Sequence, residues 1–350
     1  MTISVRPDGP VPARIMIVGE APGENEERVG IPFVGAAGQE LDRMLHEAKI
    51  TRSECFVTNV CRVRPPGNKI DAFMAMRKKD ITSQHVVMRD KYVLPVVLEG
   101  YELLKKEITL VQPNVIVALG NVALWALTGH WGVTKWRGSL LRVDWDTAGP
   151  KVIPSIHPAA VIREWSWRHI VIQDLRRVAA NRGSRTYENV PLWKFKIRPD
   201  FNTVIETIFS LLALLDGGES LWIDFDLETK LGHIDCAGIA WSPTEALCIP
   251  LMSKTNKEGY WNEHEEACVV YFLYKLLTHR NVRVRGQNLL YDSQYTHRHW
   301  HFIPRVKQDT MISHHVAFAG LKKSLDFQAS LYCQHYVQWK PDKSAWKEGG

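Results

Sequence analysis

Four short segments hold most of the polar chemistry in the first half of the chain. Gly19-Glu20-Ala21-Pro22-Gly23 ends an apolar run, residues 14 to 19, at a point where glycine lets backbone N–H groups approach a ligand and a carboxylate can project into a crevice. Glu26 follows, and then Gly30-Ile31-Pro32-Phe33-Val34-Gly35-Ala36-Ala37-Gly38, a rigid turn offering one large aromatic among residues too small to crowd it. Phe33 is therefore a candidate platform for a flat ligand. Thr58-Asn59 adds a side-chain amide that can pair with both a donor and an acceptor on a base edge. Arg62-Val63-Arg64-Pro65-Pro66-Gly67-Asn68 is a stiff basic loop suited to phosphates, and His157 closes a further strand-like run.

A second constellation lies beyond residue 220. Ile223-Asp224-Phe225-Asp226-Leu227-Glu228-Thr229 reads as a strand with acids at period two, so Asp224, Asp226 and Glu228 face one side. Three carboxylates on one face repel unless cations neutralise them. Oxygen ligands favour Mg²⁺ or Mn²⁺, and two such ions roughly 3.5 to 4 Å apart suit in-line attack on a phosphodiester. Gly286-Gln287-Asn288-Leu289-Leu290-Tyr291-Asp292 adds further polar groups downstream.

These side chains need elements to position them. The run at 14 to 19 predicts a buried parallel strand, and Leu41, Met44, Leu45 and Ala48 recur at helical spacing before the strand-like Cys55 to Val60. A helix over 93 to 111, a strand at 114 to 120 and a strand at 151 to 158 continue the pattern. The first half is thus α/β with a parallel sheet whose C-terminal loops form the expected site. A polar stretch, NRGSRTYENVP, marks the linker and sets the expected domains at 1–185 and 186–350. The second half reads as another α/β unit: a helix over 203 to 215, three strands from 219 with a Ser-Pro-Thr-Glu turn, then a helix over 263 to 279.

Composition narrows the class. The chain has 350 residues, 45% hydrophobic and 23% charged, which excludes a disordered or fibrous protein and suits two cores. No apolar run is long enough for a membrane span, and the N-terminus lacks a secretory pattern, so the expected location is the cytoplasm, that of the host if the source is viral. Six cysteines without a Cys-x-x-Cys pair make neither a disulfide framework nor a zinc site. A net charge of +6 is compatible with a polyanion partner.

The first constellation resembles the uracil-DNA glycosylase superfamily, its family 4 type above all. GEAPGxxE falls on Gly19 to Glu26, GxPFVGxAG on Gly30 to Gly38, TN with RPPGN on Thr58 to Asn68, and HPAA on His157 to Ala160 with Arg163 nearby. The resemblance spans roughly residues 13 to 178. It implies a three-layer α/β/α domain with a central parallel sheet that hydrolyses the N-glycosidic bond of a uracil flipped out of DNA. Phe33 would stack on the base and Asn59 would read its edge. Glu20 would activate water and stabilise the cationic sugar, while His157 would meet the growing charge on the uracil O2. Gly19, Ala21, Pro22, Gly23, Glu26, Arg64, Asn68 and Arg163 would support the site or contact DNA.

The second constellation resembles the 3′-5′ exonuclease domain of family A DNA polymerases over roughly residues 192 to 340. Asp226 and Glu228 match its DxET motif, and Asn288 and Asp292 match GxNxxxD. This implies an RNase H-like fold with a mixed sheet. Asp226, Glu228 and Asp292 would hold Mg²⁺ or Mn²⁺, with Asn288 and Tyr291 toward the DNA 3′ end. A glycosylase-like domain ahead of such an exonuclease is similar to certain bacteriophage replicative polymerases, so the implied partners are DNA, single- or double-stranded, and a polymerase domain in cis or in trans.

The chain departs from both patterns. Family 4 resemblance implies an iron-sulfur cluster on four cysteines, yet no Cys precedes Cys55 and none lies between Cys61 and Cys236. No cluster and no other glycosylase cofactor is expected, and Phe73, Met74, Met76, Val86 and Val87 are the candidates to fill the volume instead. The exonuclease family's third motif, Tyr-x-x-x-Asp, is absent between Leu321 and Gly350, where Asp342 sits in a Lys-Pro-Asp-Lys turn. An incomplete exonuclease is the expectation. The alternative reading is a non-catalytic reader of uracil or another modified base on a structural exonuclease scaffold.

Overall fold

Alternating side chains of a buried strand must satisfy two cores at once, and β1 (Ile15–Gly19) does so. Met16 and Val18 enter one apolar cluster while Ile15 and Ile17 enter another. The chain then forms α1 (Glu24–Val29), α2 (Ala36–Glu47) and β2 (Cys55–Asn59). Three short strands follow, β3 (Met74–Ala75), β4 (Val86–Met88) and β5 (Lys91–Val93), paired in the order β3-β5-β4 as a small antiparallel sheet. After them come α3 (Pro95–Val111), β6 (Val115–Leu119), α4 (Gly120–Thr128), α5 (Val133–Trp136), β7 (Leu141–Arg142), β8 (Lys151–Ser155), α6 (Pro158–Arg163) and α7 (Arg168–Asn181).

The main sheet runs β2-β1-β6-β8-β7, with β2, β1, β6 and β8 parallel and β7 antiparallel at the edge. Residues of α3 and α4 cover one face, and residues of α2, α6 and α7 cover the other. This is the expected three-layer arrangement, and the loops after β1, β2 and β8 share one edge of the sheet.

The structure, a computed structural model, describes residues 4–187, 190–256 and 259–339. It divides into two units, Met1–Asn189 with Asp326–Gly350, and Val190–Leu325. The second domain was expected to run from 186 to 350, so the assignment of the tail is a correction. Its cause is a set of contacts far apart in sequence. Leu140 N–H donates to the Tyr336 carbonyl (2.9 Å) and Gln338 N–H to Ser139 Oγ (3.1 Å), extending the edge beside β7. Arg137, 1% exposed, donates through Nε to Asp174 (3.0 Å) and through Nη1 to Ser330 Oγ (2.6 Å), while Ser155 Oγ also donates to Asp174 (2.7 Å). A buried Arg–Asp pair whose remaining groups are hydrogen-bonded to two serines explains why the tail seats there. Asp342 lies outside the described residues.

The β3-β5-β4 sheet corrects a second expectation. Phe73 and Met74 are buried as anticipated and Val86 packs partly against the core, but Met76 and Val87 are exposed. Met88 and Val93 fill that core instead. The antiparallel pairing of β4 with β5 alternates the faces, so Val87 points outward while Met88 turns in.

The second unit comprises β9 (Lys194–Ile197), α8 (Phe201–Asp216), β10 (Leu221–Lys230), β11 (His233–Ser242), β12 (Glu245–Pro250), α9 (Glu263–Thr278), β13 (Val282–Gly286), α10 (Leu289–Trp300), β14 (Val306–Asp309) and α11 (Thr310–Ala317). Helix α12 (Leu325–Tyr332) begins at the boundary. The sheet order is β14-β13-β10-β11-β12-β9, with β11 antiparallel to its neighbours and β10 parallel to β13. A long antiparallel β10-β11-β12 meander continued by parallel β13 and β14 is the RNase H-like strand order. Ile223, Phe225 and Leu227 of β10 point into a core shared with α8 and α9.

Candidate active site

Glu26 organises the loops at the end of β1. It stands in the first turn of α1, where its Oε2 accepts from Gly23 N–H (3.1 Å). Its Oε1 accepts from Val34 N–H (2.9 Å) and Gly35 N–H (2.7 Å). One carboxylate thus joins the GEAPG loop to the loop that carries Phe33. Hydrogen bonds to a charged acceptor contribute about 1.5–3 kcal/mol each. Phe33 is held in the left-handed region at φ 56, a conformation that costs a bulky residue free energy.

Close packing around Phe33 requires two glycines. A Cβ on Gly38 would meet the Phe33 carbonyl oxygen at 1.8 Å. A Cβ on Gly19 would meet Asn59 Oδ1 at 2.4 Å and Phe33 Cζ at 2.5 Å. Asn59 arrives beside Gly19 because β1 and β2 pair in parallel with Gly19 opposite Asn59. The pairing continues past the strand ends, through Val60 N–H to the Gly19 carbonyl and Cys61 N–H to the Glu20 carbonyl, both 2.9 Å.

His157 comes from the end of β8 and caps α6. Its Nδ1 accepts from Ala159 N–H (3.2 Å). A backbone N–H can only donate, so the proton of the neutral imidazole resides on Nε2. Burial, aided by the positive charge of Arg163, pushes His157 down to about 4. The ring is therefore a neutral N–H donor at neutral pH. It lies stacked at 5.7 Å from Phe33. Glu20 moves the opposite way: burial raises it above the usual carboxylate range, and the charge of Asp71 adds to the effect.

Glu20, Phe33, Asn59, His157 and Arg163 line one cavity of about 770 Å³, together with Ala21, Pro22, Gly23, Glu26 and Asn68. Its size suits a nucleotide. Lys69, Ile70 and Asp71 also line it and were missed in the sequence, because they carry no motif and reach the cavity only through the fold. Arg64 and Arg62 part company. Arg64 pairs with Glu27 (3.2 Å) and bonds Asn68 Oδ1 (2.7 Å) at the surface of the loop. Within the expected basic loop, Arg62 alone is a correction: it is 6% exposed and pairs with Glu107 at 2.6 Å, which also accepts from Thr58 Oγ1 (3.0 Å).

The iron-sulfur cluster implied by the family resemblance does not fit these residues. Cys55 lies in the apolar cluster on one face of the sheet and Cys61 in the cluster on the other. Burial pushes both thiols up to about 12, against the thiolate that iron requires.

In the second unit the two motifs meet. Asp292 Oδ1 accepts from Leu227 N–H (2.8 Å), between Asp226 and Glu228 on β10, and the Tyr291 and Thr229 hydroxyls are 2.5 Å apart. Burial pushes Asp292 up to about 6, with the charges of Asp226 and Asp309 adding to the rise. Asp309, whose role was not read from the sequence, accepts from Asn288 N–H (3.1 Å) and Leu289 N–H (2.8 Å) and holds the second motif's turn. Asp224 is a correction: Arg285 of β13 neutralises it at 2.5 and 2.7 Å, so it needs no cation. Among the described residues, no group of three His, Cys, Asp or Glu side chains is arranged to hold a metal ion. Asp226, Glu228 and Asp292 are by themselves too few carboxylates to neutralise two divalent ions.

Fold and cavity together define a class: a nucleotide-sized pocket at the C-terminal edge of a parallel α/β/α sheet, with a half-buried carboxyl, an amide and a neutral imidazole. Residues 6–176 match the family model described as the uracil DNA glycosylase superfamily. A type-4 uracil-DNA glycosylase of Thermotoga maritima is 34% identical over 49% of this chain and 78% of its own length. One of Sulfurisphaera tokodaii is 32% identical over 51% of this chain and 74% of its own. The chain belongs to the uracil DNA glycosylase superfamily. It is also similar, at 23% identity over 89% of its length, to a DNA polymerase of Bacillus phage SP01, of which it spans 33%. Among solved structures, Escherichia coli RNase D aligns at 10% identity and a TM-score of 0.30, over 43% of this chain and 36% of that one.

Alkylation of the native protein should modify the exposed Cys333 rapidly and spare Cys55 and Cys61 until urea unfolds the chain, as read by peptide mass spectrometry. Metal analysis of the same preparation should return no stoichiometric iron. Fast native modification of Cys61, or one cluster's worth of iron, would contradict the placement of these thiols.

Proposed function

We propose that the first unit is a uracil-DNA glycosylase that hydrolyses the N-glycosidic bond of a uracil turned out of the DNA stack. The observation that carries the reading is the meeting of Glu20, Phe33, Asn59 and His157 in one cavity. Phe33 stacks on the base and Asn59 pairs with its edge. As the bond lengthens, positive charge grows on the sugar and negative charge on the uracil O2. The Nε2–H of neutral His157 meets the second, and Glu20 stabilises the first and takes a proton from the attacking water. Arg64, Asn68 and Arg163 approach the DNA around the mouth. No amine nucleophile enters this scheme, so the product is an abasic site in an unbroken strand.

The unaltered protein should release free uracil from a uracil-containing oligonucleotide, with no dependence on added metal and no loss in chelator. Glu20→Gln should slow single-turnover release by roughly 10²- to 10⁴-fold, and His157→Ala by about 10²-fold or more. The base form of Glu20 is lost as pH falls through its raised value. Release should therefore decline on the acid side at a higher pH than an ordinary glutamate would give. Absence of uracil release would remove this reading in favour of a non-catalytic reader of uracil or another modified base.

We infer that the second unit is the 3′-5′ exonuclease module of a DNA polymerase, joined to its polymerase part in cis or in trans. The RNase H-like strand order and the contact of Asp292 with β10 between Asp226 and Glu228 support this. Asp226, Glu228 and Asp292 would serve Mg²⁺ or Mn²⁺, and Asn288 and Tyr291 would lie toward the 3′ end. With too few carboxylates to neutralise two divalent ions, residues 1–350 should digest 3′ ends weakly. Supplying the polymerase part should strengthen Mg²⁺- or Mn²⁺-dependent excision, and Asp226→Ala should abolish it. Robust digestion by the 350-residue chain, unaffected by Asp226→Ala, would rule out this assignment of the carboxylates.

A further inference from the structure

Asp71 sits on a single helical turn, Ile70–Ala72, directly after the RPPGN loop. Ala72 N–H donates to the Lys69 carbonyl (3.1 Å) and Phe73 N–H to the Ile70 carbonyl (2.8 Å). The turn is anchored from behind, since Phe73 and Met74 are buried and Leu94 N–H donates to the Phe73 carbonyl (2.8 Å). A fixed support thus delivers Asp71 to the cavity that holds Glu20. Asp71 lies just beyond the last residue of the RPPGN motif, outside the four motifs that carry the family resemblance.

We propose that Asp71 is a positioning residue of the glycosylase site, a further carboxylate in the cavity that acts through Glu20 on the attacking water and through space on the sugar. The proposal rests on the glycosylase reading. In the step itself the water oxygen bonds to C1′ as the N-glycosidic bond breaks. The electron pair of that bond leaves with uracil, and the water's proton passes to Glu20. A carboxylate accepts that proton better as its affinity for protons rises toward the working pH. Burial raises Glu20 in this direction, and Asp71 adds to it. The same negative charge favours the cationic sugar.

The other charged groups that face Glu20 do not duplicate this effect. Glu26 is occupied by three backbone N–H groups, and Glu24 approaches Arg64 at 3.6 Å. Lys69, Arg163 and neutral His157 complete the titratable lining of the cavity, and the Cys61 thiol, itself raised by burial and by Glu20, lies beside Glu20.

The test is the pH profile of single-turnover uracil release by the full chain, its Asp71→Asn and Asp71→Glu variants, and Glu20→Gln. Asp71→Asn should shift the acid limb to lower pH and reduce the plateau by about three- to tenfold. DNA affinity should hold or tighten, because the charge removed is negative. Asp71→Glu should restore most of the rate and the position of the limb. An Asp71→Asn profile superimposable on that of the unaltered protein overturns the proposal while leaving the glycosylase reading intact. An Asp71→Glu variant as impaired as Asp71→Asn overturns it in favour of a structural role for the turn. No release by the unaltered protein overturns the proposal and the reading together.

Discussion

One carboxylate, Glu26, bonded to the backbone N–H groups of Gly23, Val34 and Gly35, fixes the two loops on which the cavity depends. Without it, three N–H groups at a partly buried loop junction would need other acceptors, and Phe33 would lose the restraint that keeps its backbone at φ 56. The glycines are consequences of the same closure. Gly38 must be bare where the Phe33 carbonyl presses on α2, and Gly19 must be bare where Asn59 and Phe33 converge on the end of β1. Loop, strand end and helix start are thereby locked as one unit before any ligand arrives, which is what a preorganised site requires.

Burial then divides the labour between two titratable groups. The same desolvation raises Glu20 and lowers His157, because each resists its charged form. The outcome is a carboxylate with stronger affinity for protons in the same cavity as an imidazole that stays neutral and keeps a donor on Nε2. For cleavage of a glycosidic bond both displacements are useful, one toward accepting a proton from water and the other toward receiving charge on the departing base. Asp71 enters this balance from the turn that follows the RPPGN loop.

Much of this was legible in the sequence, for physical reasons that particular residues make plain. The alternation of Met16 and Val18 against Ile15 and Ile17 reports a strand buried on both faces, and the motif loops sit where such strands end. His157 and Glu20 were nameable because their neighbours are distinctive. What local pattern could not disclose is long-range pairing. Asp224 shares a strand face with Asp226 and Glu228, as its spacing requires, yet its charge is settled by Arg285 from a neighbouring strand. Arg62 looks like a partner for phosphate until α3 brings Glu107 against it. The tail from Asp326 reads as part of the second domain because it follows it, but Arg137, Ser139 and Leu140 hold it to the first. Residues 74 to 93 carry too few periodic positions for the β3-β5-β4 pairing to be seen in advance.

The central claim is that the Glu26 carboxylate builds a competent uracil-excising pocket. It is tested most directly by single-turnover uracil release with Glu26→Gln beside the unaltered chain, each checked for folding by circular dichroism. Gln would place an amide N–H against a backbone N–H at one of the three contacts, displacing the loops that carry Glu20 and Phe33. Misplacement of about 1 Å at a reacting centre can cost ~10²-fold, so rapid release by the unaltered protein and release slower by about that factor in a folded Glu26→Gln variant is the predicted result. Equal rates for the two proteins, or no release from either, would contradict it.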